Sequence, residues 1–159
     1  MALDLVAELD SVLDSFARAK VDHALCGGLA LAVHGHPRAT MDIDLLIRPD
    51  DLDLALRAAA SAGFDVPARK MIFGLAMGDS REIQRVSKVD PDTGSLLTLD
   101  LILAGPSLED VMTTRITTPW RGRPVSVVSR DGLVKMKRLA GRPRDHADIA
   151  ALEGTDEET

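Results

Sequence analysis

Residues 26–47 read Cys-Gly-Gly-Leu-Ala-Leu-Ala-Val-His-Gly-His-Pro-Arg-Ala-Thr-Met-Asp-Ile-Asp-Leu-Leu-Ile, and the rest of the chain is best read outward from them. Gly27 and Gly28 make a turn, an apolar helix follows from about Leu29 to Val33, and after a loop a strand spans Met41 to Ile47. Side chains alternate along a strand, so Asp42 and Asp44 share one face while Ile43, Leu45 and Ile47 point into the other layer. Two carboxylates about 6 to 7 Å apart on a half-buried strand repel one another and resist losing water. A divalent cation relieves both costs, and such a pair suits Mg²⁺, which completes its shell with water and substrate phosphates. A strand end with two solvated Asp is the plain alternative for an Asp-x-Asp taken alone.

Upstream, Leu5, Leu9, Val12, Leu13 and Phe16 recur at helical spacing and predict an amphipathic helix over residues 3–19 that covers a sheet. His23 to Cys26 is a short strand leading into the glycine pair. Glycine accepts positive φ there and lets a phosphate approach the N–H groups that open the next helix; a tight turn without ligand explains the pair equally well. His34 and His36 precede Pro37 and are read as loop residues. Asp50 or Asp51 caps a helix that runs to about Ala62, where Gly63 stops it.

Beyond Phe64 the texture turns strand-like, with segments expected at Met71–Met77, Arg81–Val89 and Ser95–Ala104. Asp90-Pro91-Asp92-Thr93-Gly94 joins the last two as a hairpin. In the final strand Leu97, Leu99, Leu101 and Leu103 share one face and Thr98, Asp100 and Ile102 the other. A lone acid among those apolar residues is costly without a partner. Asp100 therefore joins Asp42 and Asp44 from a neighbouring strand, pairs with an Arg, or faces solvent on an open sheet.

Ser107 caps a short helix over Leu108–Met112, and a second small hairpin turns at Trp120-Arg-Gly-Arg, with Trp120 read as half-buried rather than stacked on a base. Ser129 caps a helix that breaks at Gly141-Arg142-Pro143 and resumes from Arg144 to Leu152. The acidic residues 154–159 are expected to be a disordered tail.

At 159 residues the chain suits one domain, taken as residues 1–153 with a helical C-terminal part from about 129. Aromatics are only 3% and Tyr is absent, so the core must be built from Leu, Val, Ile, Ala and Met. No apolar run approaches the ~20 residues of a membrane span, and Asp4, Glu8 and Asp10 stand where a secretion signal would be basic and then apolar, so a cytoplasmic protein without membrane contact is expected. Cys26, the single cysteine, leaves no disulfide framework and no zinc site. Net charge is −6, yet residues 115–144 hold nine Lys or Arg against one acid, Asp131. That basic block is large enough to bind a polyphosphate or a short RNA backbone.

The order Gly27-Gly28, thirteen residues, Asp42-Ile43-Asp44-Leu45 resembles the signature of the DNA polymerase β-like nucleotidyltransferase superfamily. The lead-in Arg38-Ala-Thr40-Met-Asp42 is similar to that of its small single-domain members, including abortive-infection-type toxins. A weaker match covers Lys135 to Ile149, where a Lys, a Gly-Arg turn and an Asp-x-x-Asp helix follow in the order that group shows.

The resemblance implies an α/β (α+β palm) fold, a mixed, largely antiparallel sheet covered by helices. It implies a metal-dependent enzyme that transfers a nucleoside monophosphate from a nucleoside triphosphate to a hydroxyl. Asp42, Asp44 and Asp100 would hold two Mg²⁺ ions, with Asp100 also able to accept the proton. Gly27, Gly28, Arg38, Thr40, Lys135 and Arg138 would bind the nucleotide. The acceptor is an RNA 3′ end, a protein side chain or a small molecule, and a toxin of this kind would have an antitoxin partner. The alternative is a non-catalytic nucleotide-binding module or a regulatory member of a toxin–antitoxin pair.

Overall fold

Eight strands form one sheet in the computed structural model, which describes residues 3–68, 70–73 and 81–157. The strands are β1 (Ala24–Cys26), β2 (Asp42–Ile47), β3 (Val66–Pro67), β4 (Met71–Phe73), β5 (Arg81–Val89), β6 (Leu96–Leu103), β7 (Ile116–Trp120) and β8 (Arg123–Val127). Their order is β3-β5-β6-β2-β1-β8-β7, with β4 also paired to β5. Only β2–β6 and β1–β8 run parallel; every other pair is antiparallel. The sheet is thus mixed and largely antiparallel, and both predicted hairpins are present. The part of the expected Met71–Met77 strand beyond residue 73 lies outside the described residues.

Six helices accompany the sheet among the described residues: α1 (Leu5–Ala19), α2 (Gly27–Val33), α3 (Leu52–Ser61), α4 (Glu109–Thr113), α5 (Arg130–Ala140) and α6 (Pro143–Glu157). The Asp4 carboxylate caps α1 by accepting the Val6 N–H at 3.0 Å. The stripe Leu9, Val12, Leu13 and Phe16 is buried, as its spacing predicts. The Ser15 hydroxyl donates to Ala58 O at 2.6 Å and ties α1 to α3. Both helices lie on the sheet face of Leu97 and Leu99. Lys88, on that face, reaches Glu8 of α1 at 2.8 Å and Ala62 O beyond α3 at 3.3 Å. Ile43, Leu45, Leu99 and Leu101 are fully buried there, each worth ~1.5–3 kcal/mol of hydrophobic burial.

The opposite face carries Asp44 and Asp100 and is approached by α5 and α6. Ser129 caps α5 by accepting the Gly132 N–H at 3.0 Å, and Gly141, at φ +65°, ends it in the left-handed conformation that favours glycine. Two boundaries differ from expectation. Helix α2 begins at Gly27 itself rather than at Leu29. Helix α6 spans Pro143–Glu157, past the Leu152 expected as its end, and Leu152 is fully buried in the core.

Candidate active site

The strand register brings the second and third acids side by side. Asp44 of β2 is the cross-strand partner of Asp100 of β6, and Cys26 of β1 is the partner of Asp44 on its other side. Asp42 stands two residues before Asp44, opposite Thr98. Parallel pairing of β2 with β6 produces this, because it aligns Asp42-Ile-Asp44 with Thr98-Leu-Asp100 so that all the acids fall on one face.

The glycine turn lies against this row. Gly27 has φ +67°, and a Cβ on it would stand 2.0 Å from Asp44 Oδ2. A Cβ on Gly28 would meet the Thr40 hydroxyl at 2.8 Å. The pair therefore lets the backbone pass directly under Asp44 and Thr40, a close approach no other residue type permits. Burial, followed by repulsion from Asp100 and Asp42, raises the Asp44 carboxyl to about 7, while Arg142 and Lys137 pull it down. Burial, followed by the Asp44 and Asp100 carboxylates, pushes the Cys26 thiol well up, which makes it an inert packing group.

Asp100, 7% exposed, accepts a fork from Arg85, with Nε on Oδ1 at 2.8 Å and Nη2 on Oδ2 at 3.0 Å. Two of the sequence alternatives for Asp100 thus hold together: it adjoins the other acids and it pairs with an Arg. Among the described residues no three His, Cys, Asp or Glu side chains form a ready-made metal cage.

Behind the acids lies a buried ionic cluster. Lys137, 4% exposed, donates from Nζ to Asp148 Oδ2 at 2.8 Å and stands 3.8 Å from Asp145 Oδ1. Arg38 forks onto Asp148 with Nε and Nη2 both at 2.9 Å, and Arg142 reaches Asp145 at 2.8 Å. Burial works to raise the Asp145 and Asp148 carboxyls, but hydrogen bonds from Arg142 to the first, and from Arg38 and Lys137 to the second, hold both below the ordinary range.

Among the residues expected to bind nucleotide, Gly27, Gly28 and Thr40 flank the acids, and Arg38 joins them through Asp148 and Lys137. Lys135 and Arg138 do not. Lys135 pairs with Asp110 at 2.8 Å, Arg138 pairs with Glu153, and both line a separate groove of about 400 Å³ with Arg130 and Leu152. At 100° per residue, Lys137 lies about 200° around α5 from Lys135, so only one of the two can face the sheet. The missed residue is Lys137. The signal for it in the sequence is the Asp145-x-x-Asp148 pair that follows, two acids on one helix face that need a cation. Arg85 and Arg142 were missed as well. His34 binds Val128 O at 2.9 Å and serves packing; Trp120 is half-buried at its turn, as expected, with Arg121 5.6 Å from its ring.

The basic block is not an open cationic surface. Arg121 and Arg123 pair with Asp10, Arg123 also with Asp14, and Arg115 stands 3.9 Å from Asp22, so acids of α1 and the loop after it offset much of its charge.

The family model for the nucleotidyl transferase AbiEii toxin of type IV toxin–antitoxin systems matches residues 11–158. Similar folds occur in a putative nucleotidyltransferase of Thermotoga maritima, TM1012 (TM-score 0.65, 15% identity, 97% of this chain and 93% of that one). ANT(2″)-Ia, solved with adenylyl-2″-tobramycin, is also similar (TM-score 0.61, 14% identity, 95% and 88%), as is JHP933 of Helicobacter pylori (0.57, 19%, 99% and 70%). At these identities the likeness is one of fold. No curated protein matches the sequence. No helix among the described residues is long and apolar enough to cross a membrane.

Proposed function

The chain belongs to the AbiEii family of nucleotidyl transferase toxins of type IV toxin–antitoxin systems, and from that premise we propose that it moves a nucleoside monophosphate from a nucleoside triphosphate to a hydroxyl acceptor in a Mg²⁺-dependent reaction. The carrying observation is the Asp44–Asp100 register beside the Gly27 turn. The donor set fits Mg²⁺: Asp42, Asp44 and Asp100 offer hard carboxylate oxygens, and the burial and neighbouring negative charge that raise Asp44 to about 7 are costs that a cation offsets. Held by these three, two Mg²⁺ ions would supply charge to the leaving pyrophosphate and lower the pKa of the acceptor hydroxyl.

The chain's own groups do the rest. Backbone N–H groups at Gly27 and Gly28, at the start of α2, cradle the β and γ phosphates. Lys137 and Arg142, whose charges act on Asp44, replace Lys135 and Arg138 in this role and put positive charge near where negative charge develops in the transition state. Arg38 and Asp148 hold Lys137 in place. Asp100 accepts the proton of the acceptor hydroxyl.

The acceptor is an RNA 3′ end, a protein side chain or a small molecule, and an antitoxin is the expected partner. The extensive pairing of the basic block with α1 lessens its weight as support for an RNA acceptor. Incubation with each α-labelled nucleoside triphosphate, Mg²⁺ and pools of tRNA, protein or aminoglycoside tests the proposal. Label should transfer with wild type and vanish with Asp42→Ala and Asp44→Ala; equal transfer by all three removes the enzyme. The Arg85 fork on Asp100 favours a second reading, a nucleotide-binding module without chemistry, which would bind the labelled triphosphate and transfer nothing.

A further inference from the structure

Three charged side chains stand in one row across three strands. Arg85 of β5 is the cross-strand partner of Asp100, and Asp100 is the partner of Asp44. The guanidinium donates one hydrogen bond to each Asp100 oxygen, so it engages the carboxylate with the geometry that makes such forks strong. The two partners differ in environment. Asp100 is 7% exposed and cannot stand without a counter-charge, whereas the Arg85 side chain is 39% exposed and can turn into water on its flexible stem. A cation placed between Asp44 and Asp100 would need an oxygen that Arg85 holds, and its positive charge would face the guanidinium across one carboxylate.

We propose that Arg85 is a positioning residue that latches Asp100 in the metal-free chain and competes with the divalent cation for it, so that loading the site requires Arg85 to let the carboxylate go. The latch rests on Asp100 being a metal ligand. It gives the fold a means of keeping its third acid satisfied and correctly aimed between turnovers. It also makes metal affinity adjustable through a residue that need not touch the metal. Lysine at this position would keep the charge but lose the fork, and would hold Asp100 less firmly.

The test is calorimetric titration of Mn²⁺ into the metal-free full chain, for wild type, Arg85→Gln, Arg85→Lys, Asp100→Asn, Asp44→Asn and the double variant Arg85→Gln/Asp100→Asn, each checked for folding by its thermal melt. Arg85→Gln should bind Mn²⁺ about three- to tenfold more tightly than wild type, with Arg85→Lys between them. Asp100→Asn should bind more weakly, and Arg85→Gln should bring no gain once Asp100 is Asn. Should Arg85→Gln fail to fold, Arg85→Lys decides, and an affinity no tighter than wild type overturns the latch. Equal or weaker binding by Arg85→Gln, with Asp100→Asn still weakened, also overturns it while leaving the metal site standing. A gain that persists in the double variant reveals only a change of overall field and overturns it too. Wild-type affinity in both Asp100→Asn and Asp44→Asn would remove the metal site and the latch together.

Discussion

The Asp44 carboxylate occupies the space that a Gly27 side chain would fill, with its Oδ2 2.0 Å from where the Cβ would stand. Sequence motif and site geometry meet at this contact, since the first half of the motif is the gap into which the second half fits.

Gly27→Ala should therefore act through Asp44. The substitution places a side chain at φ +67°, which costs ~1–2 kcal/mol, and it drives the carboxylate aside. A displacement of ~1 Å at reacting groups is enough for a ~10²-fold loss of rate. Label transfer should fall by about that factor while the thermal midpoint drops only modestly. Transfer at the wild-type rate would show that the close approach is unimportant.

The raised Asp44 carboxyl makes metal-free stability depend on pH. Its folded value of about 7 exceeds the ordinary aspartate value of 3.8, so between the two the folded state binds more protons than the unfolded one, and stability falls as pH rises through that window. The loss is on the order of a few kcal/mol. Asp44→Asn lacks it, so chelator-treated Asp44→Asn should gain on wild type in denaturant melts between pH 5 and pH 8 (buffers spanning about three units). Added Mg²⁺ should restore wild type at the alkaline end. Parallel profiles for the two proteins would contradict the assignment.

Lys137→Met should destabilise the fold as well as halt chemistry. It removes the cation between Asp145 and Asp148, both buried; Arg142 and Arg38 still pair with them, so the cost is that of lost charge-assisted hydrogen bonding, about 1.5–3 kcal/mol. Urea melts would register the shift.

Lys135→Ala and Arg138→Ala should leave label transfer and the thermal midpoint near wild type, since both side chains are paired on the far side of α5. A large fall in transfer with either would return them to the nucleotide site.

Much of this site is legible along the chain because strand alternation is a local rule. It places Asp42 and Asp44 together without any knowledge of the fold, and it marks Asp100 as an acid that must find a partner. The parallel alignment of β2 with β6 is a long-range pairing that no local signal encodes. Arg85 was hidden for the same reason, as the alternation of β5 is only partial and its role appears only beside Asp100. On α5, three cations within four residues left the inward face ambiguous until Leu133 and Met136 were seen to be buried with Lys137. The end of α6 reads as polar and acidic, and the burial of Leu152 is a tertiary contact.

The central claim is that Asp42, Asp44 and Asp100 together hold the catalytic metal beside the Gly27 turn. Anomalous diffraction from a crystal soaked with Mn²⁺ and a non-hydrolysable nucleoside triphosphate tests it most directly. A peak is expected within bonding distance of all three carboxylates, with the triphosphate over Gly27 and Gly28 and the Arg85 guanidinium turned away from Asp100. A peak at Asp145 and Asp148 instead, or nucleotide bound with Arg85 still forked onto Asp100 and no metal at Asp44, would contradict it.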